Sequence, residues 1–380
     1  MQFELTEEQR AIGDLARKIS EDGDWEGLSA KWDREGNFDR TPITSKLREV
    51  GLTGMTIPTE YGGGAAGFLD FIIAYEQIAR VNITAAFVLS SSNDGPIDAI
   101  LHFGSDATKK KYLPKLTSGE WLAGIAITEP DAGSDLGAIR TRAVVEGDKV
   151  RINGSKFYVG GSGNFELYVV YARMSDAPGI DGLGCVVVDL NSPGLKFGPR
   201  FKMLGARSVP RSEMIFEDCV VPRENVLLGA GGFRRMIEAF NAERIHNAAM
   251  ALGIAQGAFD HAAQYAKERV QFKKRLVDFQ GIQWKLAEMQ TILSASRMLI
   301  YRAAAAKDAG QALGTLASEA KLFASKYCPR VVDQALQIEG AFGYSEGSRV
   351  ERAYRDIRLV PIAGGSIEMM LNYLGAKFAR

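Results

Sequence analysis

The chain has 380 residues, of which 46% are hydrophobic and 24% are charged. This length exceeds what one hydrophobic core usually serves, so two or three packed units are expected. The 46 basic residues balance the 46 acidic ones, which argues against nucleic acid or an acidic membrane surface as the main partner.

The three cysteines, Cys185, Cys219 and Cys328, are far apart and odd in number. Their spacing fits neither a zinc site nor a disulfide framework, and it suits a reducing compartment. The first ten residues carry acidic side chains without an apolar core, unlike a signal peptide. No apolar stretch is long enough to span a bilayer. We therefore expect a soluble, cytoplasmic protein without membrane insertion.

Residues 1–119 show helical periodicity, with Ile12, Leu15, Ala16 and Ile19 spaced to share one helix face. This pattern predicts a helical N-terminal domain.

Residues 120–230 change to short apolar runs separated by Gly, Asn, Asp and Pro, which predicts strands of an antiparallel barrel or sandwich. The predicted strands are 150–152, 156–159, 167–172, 185–190 and 214–216.

Residues 231–380 return to long helical patterns, for example at 284–293 and 317–327, which predict an antiparallel bundle. The whole chain is therefore predicted to be an α+β multidomain protein, with a helical domain, a middle antiparallel β-barrel and a C-terminal helical bundle.

Residues 126–135 read Ala-Ile-Thr-Glu-Pro-Asp-Ala-Gly-Ser-Asp and follow a predicted strand. Such a turn can offer backbone N–H groups and hydroxyls to a flat, polar-edged ligand or a pyrophosphate. On loop chemistry alone, an ordinary polar loop is the more common interpretation.

This run closely resembles the flavin-contacting signature of acyl-CoA dehydrogenases, and the resemblance extends over nearly the whole chain. Four further segments match that family in order: 205–207 with 216–218, then 268–272 with 278–280, then 337 with 340–344, and finally 355–356 with 364–368. Five ordered matches are far more specific than one glycine-rich turn.

The resemblance implies the acyl-CoA dehydrogenase fold with a C-terminal four-helix bundle, FAD between barrel and bundle, and a homotetramer. Flavin contacts within a subunit are then implied for Ile127, Thr128, Gly133, Ser134, Tyr158, Val159, Gly160, Ser366 and Glu368. Contacts to a neighbouring subunit's flavin are implied for Arg269, Gln271, Phe272, Phe279, Gln280, Gln337, Gly340 and Ala341. On residue chemistry alone, Arg269 would be a surface ion-pair partner of Glu268 or Asp278.

Substrate contacts are implied for Ser134, Asn241, Arg244, Gly364, Gly365 and Asp94. The chain departs from the family pattern where Gly160 replaces a hydroxyl residue near flavin N5. Ala341 replaces a common Gly, Glu339 is an unusual charge in its turn, and Glu368 often appears as Gln.

The resemblance also implies the position of the catalytic base. Many family members place a Glu where this chain has Gly364, which cannot act as a base. Isovaleryl-CoA and long-chain acyl-CoA dehydrogenases supply it from a Glu-Arg pair in the bundle, and that pair here is Glu243-Arg244. Asn241 is a plausible N-cap, which would put Glu243 in the first turn of a helix. Burial beside an acyl tunnel should raise the pKa of Glu243.

Asp94 has two interpretations. It suits the N-cap of a helix over residues 96–101, and it could also be a second carboxylate that serves cyclic substrates. His246 and His261 have no partner carboxylate at ligand spacing, so they are expected to be packing or surface residues and not metal ligands or bases.

The leading hypothesis is an FAD-dependent acyl-CoA dehydrogenase in which Glu243 removes the α-proton and hydride passes from Cβ to FAD. Its partners would be an acyl-CoA or acyl-carrier thioester and an electron-transferring flavoprotein. The alternatives are a cyclic acyl-CoA dehydrogenase, a desulfinase-like eliminating relative and a redox-silent acyl-CoA-binding homologue. Desulfinase-type relatives have Gln at the position of Glu243, which favours net dehydrogenation.

Overall fold

The computed structural model describes residues 4–379, apart from the side chain of Glu238. Residues 1–3 and 380, at the outer ends of the first and third predicted domains, lie outside the described residues. Within the described range no helix is both long enough and apolar enough to cross a membrane.

The N-terminal part is helical, as its periodicity predicts. Its first helix begins at Thr6, whose hydroxyl accepts from the Gln9 backbone N–H while the Gln9 side chain accepts from the Thr6 N–H. The helices are α1 (Glu7–Asp22), α2 (Trp25–Glu35), α3 (Thr41–Glu49), α4 (Phe68–Ala79), α5 (Ile83–Ser91), α6 (Pro96–Phe103) and α7 (Asp106–Thr117).

The middle part is a sheet whose strands follow the order β6-β7-β3-β2-β4-β5-β8, with β1 added beside β4. The strands are β1 (Ala123–Ala126), β2 (Arg142–Glu146), β3 (Lys149–Gly160), β4 (Leu167–Arg173), β5 (Leu183–Asp189), β6 (Leu195–Arg200), β7 (Arg211–Pro222) and β8 (Val226–Leu228). The expectation of purely antiparallel pairing is wrong at β4, because β1 pairs with it in parallel and β2 joins it through one parallel bridge. The parallel pair arises because β1 and β4 are separated by the β2–β3 hairpin and not by a single tight turn.

Strands β4 and β5 are buried on both faces along almost their whole length. Alternate residues of a strand point to opposite faces, so the two faces join two cores. Tyr168 and Val170 pack with the rest of the sheet. Leu167 and Val169 pack with α6, α7 and the start of the C-terminal helices. One face of these strands therefore packs in the interior of the sheet domain, and the other face packs against helices.

The C-terminal part contains three long helices that pack side by side, together with shorter ones. These are α8 (Phe233–Glu268), α9 (Gln280–Asp308), α10 (Gly314–Glu339), α11 (Ala341–Tyr344), α12 (Arg349–Ile357) and α13 (Ile367–Gly375). Helix α12 packs on α8 and α10, which completes a four-helix arrangement, and α4 of the N-terminal part packs against α8. A short hairpin, β9 (Val270–Gln271) with β10 (Lys274–Arg275), follows α8.

The changes from helix to strand and back lie between residues 117 and 123 and between 228 and 233. Domain limits at 119/120 and 230/231 remain predictions.

Polar contacts join the three parts, and one of them involves the sequence signatures. Arg40, before α3, makes a two-pronged salt bridge with Glu166, before β4, at 2.7 and 2.8 Å. The Asp356 carboxylate of α12 accepts the backbone N–H of Ala206, beside the sheet, at 2.6 Å. Burial raises the pKa of Asp356 to about 6. A side chain at Gly205 would overlap the α12 backbone at Arg355, so two of the sequence signatures meet at this junction.

Candidate active site

The signature loop, residues 126–135, is anchored to strand β3 by a buried ion pair. The Lys156 ammonium of β3 lies 2.7 Å from the Glu129 carboxylate and donates to the Ile127 carbonyl at 3.0 Å. Glu129 also accepts the backbone N–H groups of Arg140 and Thr141, at 2.7 and 2.9 Å. One buried carboxylate thus ties both ends of the loop to β3.

The two charges of this pair shift in ways that burial and pairing explain. Burial lowers the pKa of Lys156 to about 8, against the opposing effect of Glu129. Burial alone would raise the pKa of Glu129, but the charge and hydrogen bond of Lys156 lower it below its ordinary value. Glu129 therefore stays ionised at neutral pH.

Strand β3 leaves regular pairing where the resemblance places the flavin. A register shift lies between Lys156 and Val159, and Tyr158 takes φ +57°. The Phe157 N–H donates to the Thr128 carbonyl at 2.8 Å, which joins this bulge to the signature loop. The structure thus brings Ile127 and Thr128 next to the bulge.

The same region fits a flat ligand. The Tyr158 side chain is 56% exposed, and a Cβ placed on Gly160 would meet no atom within 4 Å. Val159 is buried and holds the strand, whereas Gly133 and Ser134 are exposed at the end of the loop. An open strand face with an exposed aromatic ring and free loop donors suits an isoalloxazine and a diphosphate.

Helix α8 begins nine residues earlier than an N-cap at Asn241 would require, which corrects that expectation. It starts at Phe233, so Glu243 lies about three turns inside the helix. The Asn241 side chain accepts from the Arg244 guanidinium at 2.7 Å. The helix starts earlier than predicted because Phe233 and Met236 pack against β4 and β5. This tertiary contact overrides the local capping preference of Asn241.

The electrostatic environment of Glu243 follows from its position among packed helices. Burial raises the pKa of its carboxyl, and Asp94 acts in the same direction. His246, Lys321 and Arg244 oppose this, in that order, without cancelling it. The net pKa is raised, as expected for a carboxyl removed from water.

Lys321 of α10 is fully buried and donates from Nζ to the Val360 carbonyl at 2.5 Å. Burial lowers the pKa of Lys321 to about 7, and the charge of Glu243 opposes that shift. No motif in the sequence marks Lys321 as a site residue. A usable signal is present, because Ala317, Ala320 and Ala324 surround Lys321 on one buried helix face.

Gly364 and Gly365 lie against the same turn of α8. Both have positive φ, +67° and +94°, which disfavours any L side chain. A Cβ on Gly364 would lie 2.5 Å from the Asn247 side-chain nitrogen, which itself donates to the Glu243 carbonyl at 2.9 Å. A Cβ on Gly365 would lie 2.8 Å from Met370 Cε. The positive φ values and these contacts thus disfavour a side chain in the loop, whereas α8 provides a carboxylate.

Asp94 is not an N-cap, which corrects the first interpretation of this residue. Helix α6 is preceded by Gly95 and has no side-chain cap. Asp94 is 1% exposed, and its Oδ2 lies 2.5 Å from Nδ1 of His246. The prediction that His246 and His261 lack carboxylate partners is also wrong, because His261 lies 2.6 Å from the buried Glu339. Both partners are distant in sequence, so spacing along the chain could not show them.

The residues assigned to a neighbouring subunit's flavin lie at the other end of α8. Arg269 is 26 residues beyond Glu243, or about 39 Å along the helix. Its guanidinium forms no ion pair with any residue in 4–379, and Asp278 pairs instead with Arg275 at 2.8 Å. The alternative interpretation of Arg269, a surface ion pair, is therefore wrong.

These distal positions are mostly exposed. Exposed members of the set are Arg269, Gln271, Phe272, Gln280, Gln337, Gly340 and Ala341, and Phe279 is half-buried. At the hairpin tip Phe272 and Lys273 both have positive φ, as a two-residue primed turn requires. Near the other end of the site, Ser366 caps α13 through the Met369 N–H, and Glu368 is exposed. One chain alone does not bring the distal set to Glu243.

Comparison with known proteins agrees with this architecture. Family models of the acyl-CoA dehydrogenase N-terminal, middle and C-terminal domains match residues 6–120, 124–219 and 230–378. The solved structure of butyryl-CoA dehydrogenase from Megasphaera elsdenii superimposes with a TM-score of 0.94 at 34% identity, covering 100% of each chain.

Two curated relatives have names that indicate reduction. An acryloyl-CoA reductase (NADH) of Anaerotignum propionicum is 37% identical over 97% of this chain and 94% of its own length. The caffeyl-CoA reductase-Etf complex subunit CarC of Acetobacterium woodii is 34% identical over 96% of each.

The chain therefore belongs to the acyl-CoA dehydrogenase family. It is an FAD-dependent acyl-CoA dehydrogenase with the three-part fold of that family, which confirms the predicted fold, enzyme class and cofactor.

We expect Lys156→Met to destabilise the protein by about 3–5 kcal/mol and to lower its FAD content, because Glu129 would keep a buried charge without its partner. Thermal unfolding and the flavin-to-protein absorbance ratio measure the two effects. Lys156→Met combined with Glu129→Gln should recover part of the loss. A loss below about 1 kcal/mol in the single variant would show that the pair does not hold the loop.

Proposed function

We propose that Glu243 is the base that removes the α-proton of an acyl-CoA thioester, giving the α,β-unsaturated acyl-CoA. The observation that carries this proposal is a carboxylate on α8 beside a loop whose two glycines have positive φ, which disfavours a side chain there. Gly364 would place a side chain on Asn247, while Glu243 lies on the same turn of α8 as Asn247.

The raised pKa of Glu243 supports this role, since a base with a higher pKa holds the abstracted proton more firmly. Arg244 and Asn241, joined at 2.7 Å, are proposed to hold the CoA portion beside it. Gly364 and Gly365 leave their backbone N–H groups free of side-chain shielding, so they are proposed to polarise the thioester carbonyl and stabilise the enolate.

Ile127, Thr128, Gly133, Ser134, Tyr158, Val159 and Gly160 are proposed to hold FAD on the open face of β3. When bound, FAD accepts the hydride that leaves the β-carbon. Ser134 is also proposed to reach the pantetheine. The region of the half-buried Ser366 and the exposed Glu368 is the proposed third side of the site.

The direction of net reaction depends on the electron partner and not on Glu243. By microscopic reversibility, the protonated carboxyl returns a proton to the α-carbon when an unsaturated thioester is reduced. The reductase names of two relatives make an electron-transferring flavoprotein a reasonable proposed partner. A cytoplasmic location is also proposed, supported by three buried free cysteines.

A role of Asp94 as a second base for cyclic substrates has less support. His246 and Lys307 lower the pKa of Asp94 below its ordinary value, although burial alone would raise it. A carboxylate stabilised as an anion is a poor proton acceptor. The alternative of a redox-silent homologue is disfavoured, because the open face at Tyr158 and Gly160 leaves space for a flavin. A purified protein without flavin colour would support that alternative.

We expect Glu243→Gln to slow flavin reduction by an acyl-CoA by about 10²–10⁴-fold while FAD content stays unchanged, because the amide cannot accept the proton. Stopped-flow absorbance of oxidised flavin measures the rate. Near wild-type bleaching in this variant would refute the assignment of the base.

The rate of flavin reduction should also depend on pH in a defined direction. Only the ionised Glu243 can accept the α-proton, and its pKa lies above the ordinary value of 4.5. The rate should therefore fall as pH decreases through this raised pKa, with an acid limb displaced to higher pH than a free Glu would give. A rate that increases toward acid pH would contradict the proposal.

A homotetramer is proposed because large aromatic side chains are exposed around the distal end of the bundle. Phe272 is 89% exposed, Trp284 62% and Tyr344 77%, and such patches commonly mark association sites.

We expect Phe272→Asp to reduce both the assembled mass and the FAD content, since the proposed contact is with a neighbour's flavin. Mass photometry and flavin absorbance measure the two. Val145→Asp, at an exposed position of β2, is the matched control and should change neither. Intact tetramers with full FAD in Phe272→Asp would refute this contact.

A further inference from the structure

Burial creates a difficulty for Glu243 that other residues must counter. A carboxyl whose pKa is raised too far holds its proton and cannot act as a base at neutral pH. We propose that Asp94 and His246 form a positioning pair that holds a positive charge one helical turn from Glu243 and so keeps Glu243 ionised. This inference rests on the proposed role of Glu243.

The geometry of the pair suits this role. His246 follows Glu243 by three residues on α8, so both side chains lie on the same helix face. Its Nδ1 lies 2.5 Å from Asp94 Oδ2, so the ring and the carboxylate share a direct, short hydrogen bond. The His246 ring packs against the Tyr75 ring, with centroids 5.5 Å apart.

Asp94 is held rigidly where it meets His246. Its backbone N–H donates to the Ser90 carbonyl at 2.8 Å. The neighbouring Asn93 side chain donates to the Leu52 and Leu89 carbonyls, both at 2.9 Å. The other oxygen of Asp94 is buried and has no hydrogen-bond partner in the described part of the chain. The His246 ring is therefore the principal partner of this carboxylate.

The other charges around the pair are engaged elsewhere. Lys307 of α9 pairs with Asp98 of α6 at 3.0 Å. Lys321 of α10 donates to a backbone carbonyl, and with its pKa lowered to about 7 it carries only part of its charge near neutrality. Arg244 is bonded to Asn241. Tyr75 of α4 faces the pair as a neutral group, since burial raises the pKa of its phenol. His246 thus has the largest stabilising effect on the Glu243 anion.

The two members of the pair affect Glu243 in opposite directions. The His246 cation stabilises the Glu243 anion, whereas the Asp94 anion destabilises it, and the His246 effect is the larger. If Asp94 holds the charge on His246, then removing Asp94 abolishes both effects together. If Asp94 acts only through its own charge, then removing it helps Glu243 ionise. The two cases therefore predict opposite shifts in the pKa of Glu243 when Asp94 is removed.

The experiment is the pH dependence of flavin reduction in the holoenzyme. His246→Gln should move the acid limb to higher pH by roughly one unit or more, because the Asp94 anion then acts alone. Asp94→Asn should move the limb in the same direction by less, and the double variant should match Asp94→Asn. A downward movement in Asp94→Asn, or no movement in His246→Gln, would overturn the proposal.

A second measurement determines the protonation state of His246 independently of catalysis. The chain has only three histidines, so carbon-13 labelled rings can be assigned by NMR with His246→Gln as reference. The His246 signal should have the imidazolium shift at pH 7 in the wild type and the neutral shift in Asp94→Asn. A neutral ring in the wild type would overturn the proposal even if every variant folds poorly.

The control variants are chosen away from the site. Asp260→Asn removes a carboxylate from the same helix, where it pairs with Arg80 at 2.6 Å, and should leave the acid limb unchanged. His102 is half-exposed and serves as the internal NMR standard. If Glu243→Gln reduced its flavin normally, the function of Glu243 would fail while the NMR result would still report on the pair.

Discussion

The proposed chemistry depends on one carboxylate, that of Glu243, which lies half-buried among packed helices. A charge in such a place is costly unless oppositely charged groups lie nearby. Here those groups are His246 and Arg244 from α8 and Lys321 from α10, whereas Asp94, between α5 and α6, opposes them. The helical bundle is thus a scaffold that brings charges together from distant parts of the sequence.

The sheet domain also contains buried charges, and there they form a direct ion pair. Lys156 and Glu129 neutralise each other, and the pair uses its remaining hydrogen bonds to hold a loop of otherwise independent backbone. Asp356 does the same between α12 and Ala206. In both places a buried ionisable group fixes the relative position of two elements, whereas apolar packing supplies most of the stability without specifying one geometry.

Local patterns were sufficient for the order of the elements, whereas the flavin contacts of the signature loop rest on the family resemblance and stay predictions. Periodicity predicts α10 and the long strands, and the signature of 126–135 predicts the loop beside β3. The failures have a common cause. Asn241 resembles an N-cap, but packing of Phe233 extends α8 past it, and Asp94 resembles a cap, but His246 lies 152 residues away.

Lys321 is a different kind of failure. The helical spacing of the neighbouring alanines predicts that Lys321 lies on a buried face. Its contact with the Val360 carbonyl depends on the conformation of a loop, which helical or strand periodicity does not predict. Sequence patterns of this kind therefore indicate which face of an element is buried. They do not indicate which charged groups from other elements meet there.

The glycine at position 364 has a consequence for redesign. Its positive φ disfavours a side chain, and a Cβ there would meet the Asn247 amide. Moving the carboxylate from α8 to this turn would therefore require the Asn247 side chain to move and the turn backbone to adjust, and not only the replacement of one residue.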